Sequence, residues 1–316
     1  MLSTTDDVRS TAAALEECLT SVVDGHENAC HRVVTVLLAG GHLLLEDVPG
    51  VGKTVLAKTL ARAVDGRVSR IQFTPDLLPT DVTGLSIFDQ GTQELRFHPG
   101  PLFANVVIAD EINRAPAKTQ SALLEAMEER QVSADGTTRR LPSPFMVVAT
   151  QNPWDLDGTY PLPEAQRDRF MARLSLGYPS AEAEARMLSR HRETDPLQRV
   201  EPVADASTIV RLQQAVTRVH VSDAVTNYLV ALAATTREHP DVSLGVSPRG
   251  ALQWMRLAQA EAAVCGRDFV TPSDVQVVGH AAAIHRLVLA APDDARGSQA
   301  SRVVDEALGG VPVPRG

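Results

Sequence analysis

The segment from Asp47 to Thr54, Asp-Val-Pro-Gly-Val-Gly-Lys-Thr, follows the apolar run Leu-Leu-Leu-Glu and opens a helical pattern. Glycines let backbone N–H groups turn inward around an anion, and the amino end of a helix adds a positive dipole. In such a loop Lys53 would neutralise the β- and γ-phosphates of a nucleotide, and the Thr54 hydroxyl would hold Mg²⁺. We therefore predict a phosphate-binding loop made of Pro49, Gly50, Val51, Gly52, Lys53, Thr54 and Val55.

Two features bear on the strength of this motif. The strict pattern G-x-x-x-x-G-K-[ST] begins with glycine, where this chain has Asp47. Only three of the thirty basic residues are lysines. A lysine at this position is therefore less expected as a filler residue than an arginine would be. Taken alone, the motif also fits a turn that contains Gly-Val-Gly-Lys by chance.

Two acidic residues, Asp110 and Glu111, follow four apolar residues at 106–109. This order places both carboxylates at the carboxyl edge of a buried strand, where open α/β sheets bind ligands. Asp110 would hold Mg²⁺ directly or through water, and Glu111 would polarise the water that attacks the γ-phosphate. A strand end that meets solvent is the simpler interpretation of the pair alone, and the phosphate loop favours the catalytic one.

The apolar run at 145–150 ends in Gln151-Asn152-Pro153. The Asn152 amide offers both a donor and an acceptor, so it could orient the attacking water or sense the γ-phosphate. Asn-Pro is also a good turn initiator, and without the other motifs a turn is the preferred interpretation.

Short apolar runs alternate with helical patterns in the first half of the chain, which is typical of a parallel sheet with crossover helices. The patterns predict strands at 42–46, 68–73, 105–109, 145–150 and 172–176, and helices at 52–64 and 117–129. Two hairpins are inserted into this frame, at 85–97 and at 131–141. The second turns at Asp135-Gly136, a strong type I′ signal.

Amphipathic helices dominate the sequence beyond about residue 180. The expected segments are 181–192, 205–219, 223–238, 248–264 and 272–289, with Ser207, Ser247 and Thr271 as helix starts. The tail at 309–316 is expected to fray. We predict two domains, an α/β nucleotide-binding domain at 1–179 and an all-α domain at 180–316.

Composition narrows the class of protein. The chain has 316 residues, and 44% of them are apolar. Its net charge of −9 argues against a protein that binds mainly to DNA or to anionic lipid. Three scattered cysteines support neither a disulfide framework nor a zinc site. The amino terminus lacks the features of a signal peptide, and the longest apolar stretch is too short to cross a bilayer, so we expect a cytoplasmic protein with no membrane span.

Several of these motifs together resemble the MoxR family of AAA+ ATPases. The resemblance is carried by the segments at 110–127, 149–153, 158–166 and 168–170, with support from 74–79, 97–103 and Ser247-Pro248-Arg249. It implies an AAA+ P-loop core with a five-stranded parallel sheet, followed by a helical lid, with ATP bound between them and between neighbouring subunits. The family pattern implies the following roles: Walker A for Lys53 and Thr54, Walker B for Asp110 and Glu111, sensor 1 for Asn152, arginine finger for Arg169 and sensor 2 for Arg249. Arg167 competes with Arg169 for the finger role, and we favour Arg169.

The resemblance also implies partners and a task. It implies a homo-oligomeric ring, expected to be a hexamer, that remodels client proteins during maturation, assembly or metal-cofactor insertion. Such proteins commonly work with a partner that carries a von Willebrand factor A domain. A DNA motor or loader is the first alternative, but residues 1–179 hold 16 basic and 23 acidic groups, and residues 180–316 hold 14 and 16. Neither half has the basic excess that tracking nucleic acid requires. A nucleotide-gated scaffold with little turnover is the other alternative, and the presence of Glu111 and Asn152 argues against it.

Overall fold

The computed structural model describes residues 4–48, 50–152, 160, 162–190, 196–291 and 298–314. Its helices are α1 (Thr5–Val22), α2 (Glu27–Leu38), α3 (Lys53–Ala63), α4 (Pro79–Thr83), α5 (Ala117–Glu129), α6 (Glu164–Arg167), α7 (Ala181–Arg190), α8 (Ala206–Val216), α9 (Asp223–Glu238), α10 (Pro248–Val264), α11 (Pro272–Ala283) and α12 (Ser298–Gly310). Its strands are β1 (Leu43–Glu46), β2 (Val68–Gln72), β3 (Gly84–Asp89), β4 (Glu94–Pro99), β5 (Val106–Asp110), β6 (Gln131–Ala134), β7 (Thr137–Arg140), β8 (Met146–Gln151), β9 (Ala172–Leu174), β10 (Val242–Leu244) and β11 (Val288–Leu289).

A parallel sheet of order β2-β5-β8-β1-β9 forms the centre of the first half. Successive residues of β5 point to opposite faces: Val106 and Ile108 join one apolar cluster, whereas Val107 and Ala109 join the other. Both faces are therefore buried, which confirms the predicted parallel sheet with helices on both sides. All five strands run the same way, so the ends of β1, β5 and β8 meet at one edge.

Both predicted hairpins are confirmed. Strands β3 and β4 pair antiparallel, as do β6 and β7. Asp135 and Gly136 have φ angles of 52° and 73°, the left-handed pair that a type I′ turn requires. The guanidinium of Arg139 lies 3.8 Å from the ring centroid of Phe97, so a cation–π contact joins the two hairpins.

The two helices that precede the sheet, α1 and α2, were not predicted. Their apolar faces, including Leu15, Leu19 and Val34, share one buried cluster with Leu257 and Ala260 of α10. The beginning of the chain therefore packs against its helical second half. The predicted boundary near residue 180 stays a prediction.

The second half is helical, as predicted, but several details differ. The short strands β10 and β11 pair antiparallel, so this half is not purely α-helical. Asp205, rather than Ser207, caps α8 by accepting from the Thr208 N–H. Helix α12 continues to Gly310 because its apolar side is buried, so fraying from residue 309 was wrong there.

The starts of two other helices were predicted well. Ser247 accepts from the Gly250 N–H at the start of α10, and Thr271 accepts from the Asp274 N–H at the start of α11. Helix α11 ends at Ala283, earlier than expected, because the chain tightens into a 3₁₀ turn at Ile284–Arg286 and then enters β11.

Candidate active site

The predicted phosphate loop joins β1 to α3. Gly50 and Gly52 have φ angles of 86° and 95°, values that side chains disfavour, so both glycines are required by the backbone itself. Lys53 opens α3, and its Nζ donates to the carbonyl oxygens of Asp47 at 2.6 Å and Val48 at 2.9 Å. Pro49 lies outside the described residues.

The Lys53 ammonium is partly buried. Burial lowers its pKa, while the carboxylates of Asp47, Asp110 and Glu111 act in the opposite direction. A cation held among acidic groups and loop carbonyls is suited to exchange those partners for a phosphate.

Asp47, the departure from the strict motif, has a structural role. Its Oδ2 accepts from the Gly177 N–H at 2.6 Å and from the Ser175 hydroxyl at 3.0 Å, and its Oδ1 accepts from the Val48 N–H at 2.8 Å. These bonds tie the start of the loop to the chain that leaves β9. A glycine could not do this, so the substitution adds an anchor and leaves the glycines further along intact.

Asp110 ends β5 with its carboxylate almost fully buried, and three side chains hold it. Thr54 and Thr150 donate to Oδ1 at 3.3 and 3.2 Å, and the Arg70 Nε donates to Oδ2 at 2.7 Å. The Thr54 hydroxyl and the Asp110 carboxylate are hard oxygen donors of the type that Mg²⁺ prefers. The residues present at this strand end therefore fit the metal site that the sequence predicts.

Glu111 has a φ of 57°, which is uncommon for a residue with a side chain. Its N–H donates to the Thr150 hydroxyl at 3.0 Å, which fixes this turn to the neighbouring strand. Its Oε2 accepts from Gln72 at 2.9 Å and from Arg114 at 3.2 Å. The side chain is 40% exposed, so solvent reaches the carboxylate.

Asn152 directly follows β8, which lies between β5 and β1 in the sheet. Because Ala149 pairs in register with Ala109 and Leu44, Asn152 leaves the sheet at the same edge as Asp110 and the phosphate loop. The backbone therefore places Asn152 at the edge that carries Asp110 and the phosphate loop.

Sequence reasoning missed Arg70, Gln72 and Thr150. The two β2 residues reach the acidic pair because β2 pairs with β5 in a register that sets Gln72 beside Asp110. A strand period of two puts Arg70 and Gln72 on one face, but nothing in the sequence fixes the register.

Arg169 and Arg249 lie together at the other end of the sheet. The chain enters β9 just after Arg169, so this residue lies at the amino edge of the strands, opposite to the phosphate loop. Arg169 donates to Oε2 of Glu128 at 2.9 Å, and Arg249 donates to Oε1 of the same carboxylate at 2.7 Å. The bond from Arg169, with the charge of Arg249, lowers the pKa of Glu128.

The family pattern implies ATP between the core and the lid and between neighbouring subunits, with Arg249 as sensor 2. The start of α10 lies at the edge opposite to the chain's own phosphate loop, about 15 Å away across strands of four to six residues. Arg249 therefore does not face the phosphate site of its own chain.

Arg167, the competitor for the finger role, is placed differently from Arg169. Its Nε is buried with no hydrogen-bond partner among the described residues, and its charge acts on His285 of the helical half. Arg169 and Arg249 share a partly exposed carboxylate instead, so the geometry favours Arg169.

His42 stands just before β1, and the sequence favours a strand-edge role for it. Its ring is buried between the Val147 N–H, which donates to Nδ1, and the Met127 carbonyl, which accepts from Nε2. Burial lowers its pKa to about 3, with Arg130 adding to the effect. The ring is therefore a neutral structural group.

The fold and the site define a P-loop nucleotide-binding protein with a helical second part. The defining features are the strand order of the parallel sheet, the glycine loop that opens a helix and the acidic strand end beside that loop. Residues 42–172 match the ATPase family associated with various cellular activities, and residues 234–307 match the AAA lid domain. The chain belongs to the MoxR family of AAA+ ATPases.

Individual relatives agree with this assignment. The chain is 46% identical to YeaC of Bacillus subtilis, over 98% of this chain and 97% of that protein. It is 46% identical to the chaperone MoxR1 of Mycobacterium tuberculosis, over 85% and 73%, and 32% identical to MoxR of Paracoccus denitrificans, over 95% of each.

Solved structures agree on the fold. A crystal structure of a candidate ATPase from Cytophaga hutchinsonii superposes with a TM-score of 0.89 at 35% identity, over 98% of this chain and 97% of that one. An MCM homologue from Methanopyrus kandleri has a TM-score of 0.58 at 18% identity, over 97% and 61%, and shows a shared fold alone. Among the described residues, no helix is long and apolar enough to cross a membrane.

Proposed function

We propose that this protein hydrolyses ATP at sites shared between neighbouring subunits of a homo-oligomeric ring, and uses the reaction to remodel client proteins. One observation carries the proposal: two arginines lie side by side at the sheet edge opposite to the phosphate loop. They serve the chemistry of an adjacent chain, because their own loop lies across the sheet.

Within one chain, the loop at 49–55 binds the phosphates, with Lys53 as the cation on the β- and γ-phosphates. Thr54 and Asp110 hold Mg²⁺, which when bound neutralises phosphate charge. Glu111 orients the attacking water and accepts its proton, once its carboxylate leaves Gln72 and Arg114. Asn152, at the end of the adjacent strand, contributes an amide near the γ-phosphate.

The neighbouring chain supplies Arg169 as the arginine finger and Arg249 as sensor 2. Negative charge grows on the γ-phosphoryl oxygens in the transition state, and a guanidinium supplied in trans increases the rate by about 10³–10⁵. Glu128 holds both guanidiniums in the single chain, and a phosphate of the neighbour takes over that role in the ring. A surface that contacts a different surface on the next copy forms a ring when the rotation between copies closes, and we expect a hexamer.

The proposed task is the remodelling of client proteins in the cytoplasm. A relative with 46% identity is named a chaperone, and the net charge of −9 argues against tracking along a phosphate backbone. The tip of the second hairpin, Ala134-Asp135-Gly136-Thr137, carries no basic residue. Maturation or metal-cofactor insertion of a client complex, with a von Willebrand factor A domain partner, is the form we propose for this task.

The test is steady-state ATP hydrolysis as a function of protein concentration for the wild type, Glu111→Gln and Arg169→Ala. Arg218→Ala is a matched control, because Arg218 is an exposed arginine just beyond α8. We expect wild-type activity per subunit to rise with concentration, both site variants to lose at least about 100-fold, and the control to match the wild type.

A mixing experiment tests the shared site directly. Glu111→Gln subunits keep their arginines, and Arg169→Ala subunits keep their glutamate, so a mixture should recover activity that neither variant has alone. Hydrolysis that is independent of concentration, with no recovery on mixing, would refute the shared site. Strong, salt-sensitive stimulation by duplex DNA would replace the protein client by nucleic acid, and tight ATP binding without turnover in the wild type would favour the gated scaffold.

A further inference from the structure

The carboxylate of Asp168 connects the first half of the chain to its helical half, right beside the two arginines at the amino edge of the sheet. Its Oδ1 accepts from the Arg286 Nε at 2.8 Å. Its Oδ2 accepts from the Ser247 hydroxyl at 2.9 Å. We propose that Asp168, Ser247 and Arg286 form a positioning device that sets Arg169 and Arg249 at the spacing needed for one γ-phosphate of the neighbouring subunit. This inference rests on the proposed shared site.

Each arm of the device acts on one of the two arginines. Asp168 directly precedes Arg169 in the chain. Ser247 is the N-cap of α10 and accepts from the Gly250 N–H at 2.9 Å, so it orients the first helical turn, which carries Arg249. One carboxylate therefore fixes the backbones from which both guanidiniums extend.

Arg286 is the buried residue that holds the other members of this device in place. Its side chain is 1% exposed. Besides Asp168, it donates to the carbonyl oxygens of Phe170 at 2.6 Å and Met171 at 3.3 Å, and to Gln253 of α10. Burial lowers the pKa of Arg286 to about 10, and Asp168 opposes the change. A guanidinium with these partners locks the segment that follows Arg169 against α10.

Arg286 packs closely against the start of α10. A β-carbon on Gly250 would lie 2.7 Å from Cδ and 2.8 Å from Nε of Arg286. A side chain at this position would force Arg286 to shift, so glycine lets the guanidinium lie where it does. The residue after Arg249 is therefore shaped to receive Arg286, which a simple surface ion pair would not require.

The mildest test removes one hydroxyl. Ser247→Ala keeps the Asp168–Arg286 pair but frees the start of α10 from Asp168. Ser222→Ala is the matched control, because Ser222 caps α9 by the same bond, to the Val225 N–H, and makes no side-chain bond to the first half within the described part of the chain. Both variants lose one N-cap, and Ser247→Ala also loses its bond to the Asp168 carboxylate, so it should be the less stable of the two.

We expect Ser247→Ala to lower kcat about 10-fold, and Ser222→Ala to stay within twofold of the wild type. Nucleotide affinity at the chain's own loop should be unchanged in both, as measured with a fluorescent ATP analogue. Asp168→Asn also removes the negative charge that pairs with Arg286, and it should lower kcat about 100-fold. Equal effects of the two serine variants on kcat would overturn the proposal.

Mixing separates this inference from the proposed shared site. Glu111→Gln subunits supply intact arginines, so they should rescue Ser247→Ala and Asp168→Asn as fully as they rescue Arg169→Ala. Rescue of Arg169→Ala without rescue of Ser247→Ala would show that the shared site exists but that this device does not serve it. Failure to rescue Arg169→Ala itself would overturn the shared site, and the positioning role with it.

Discussion

The Thr150 hydroxyl joins both members of the acidic pair, so replacing it should disturb metal binding more than its size suggests. It donates to Oδ1 of Asp110 at 3.2 Å and accepts from the Glu111 N–H at 3.0 Å. Thr150→Val preserves the shape and the β-branched backbone preference but deletes both bonds. The Glu111 N–H then loses its partner in a turn whose φ is 57°, and the Asp110 carboxylate loses one of three donors.

The expected loss of stability follows from these contacts. Leaving a buried donor unsatisfied costs about 1–3 kcal/mol, and losing a bond to a carboxylate adds to this, so we expect about 3 kcal/mol in total. At a urea dependence of about 2–3 kcal/mol per molar, the unfolding midpoint should fall by about 1 M. Asp110 should also be less well oriented for Mg²⁺, so the gain in affinity for a fluorescent ATP analogue on adding Mg²⁺ should fall several-fold, with Mg²⁺-free binding unchanged.

Two controls make this prediction decisive. Thr150→Ser keeps the hydroxyl and should stay near the wild type in both assays. Thr59→Val makes the same chemical change at a fully buried position in α3, where the hydroxyl donates to the helix carbonyl of Val55 and to no other described residue. It should lose less than about 1 kcal/mol because that carbonyl keeps its helical partner. If Thr150→Val retains wild-type stability and the full response to Mg²⁺, the proposed role of the hydroxyl is refuted.

Three further changes test other parts of the structure. Asp47→Ala should lower the free energy of unfolding by about 2 kcal/mol, since three donors lose their acceptor; unchanged urea midpoints would contradict this anchor. The bond from Glu16, with Glu261, raises the pKa of His31 to about 9, so its contribution should be complete below pH 6.5 and lost as pH rises through 9. A shift of that size corresponds to about 3 kcal/mol at most, and His31→Gln should flatten the stability profile over this range; a profile that stays steep would exclude His31 as its cause. Glu128→Gln should lower the free energy of unfolding by less than about 1 kcal/mol, because the ion pairs are partly exposed. It should also lower the protein concentration that gives half-maximal ATPase activity. An increase in that concentration would argue against competition between Glu128 and the neighbour's phosphate.

The frame of the first half could be predicted because each of its signals is local. The strands of the sheet alternate with helices over short distances, and the Asp-Gly turn fixes the second hairpin by itself. Helices α1 and α2 were missed although Val8, Ala12, Leu15 and Leu19 have helical spacing. Their buried side faces α10, more than 200 residues away, and no local signal indicates that partner.

The same distinction applies to the site. The phosphate loop and the acidic pair are contiguous motifs, and parallel strands bring their ends to one edge, so their proximity followed from the sequence. The contacts of Thr150 and Arg70 with Asp110 depend on register across neighbouring strands, which the sequence leaves open. The position of Arg249 depends on how the helical half docks, which is a tertiary property, and no local motif indicates that it would share Glu128 with Arg169.

Helix α10 is held at both ends, which restricts movement of the helical half relative to the core. Its first turn is bound to Asp168 through Ser247, and Glu261, about 20 Å further along, accepts from Arg32 at 2.8 Å and pairs with His31. Because a rigid helix held at two separate points cannot pivot without breaking one of them, we expect the helical half to stay fixed on the core when ATP binds. Movement driven by ATP should then occur between chains. A change in the distance between fluorophores on the two halves of an Arg169→Ala chain, on addition of ATP at concentrations where the protein is monomeric, would contradict this conclusion.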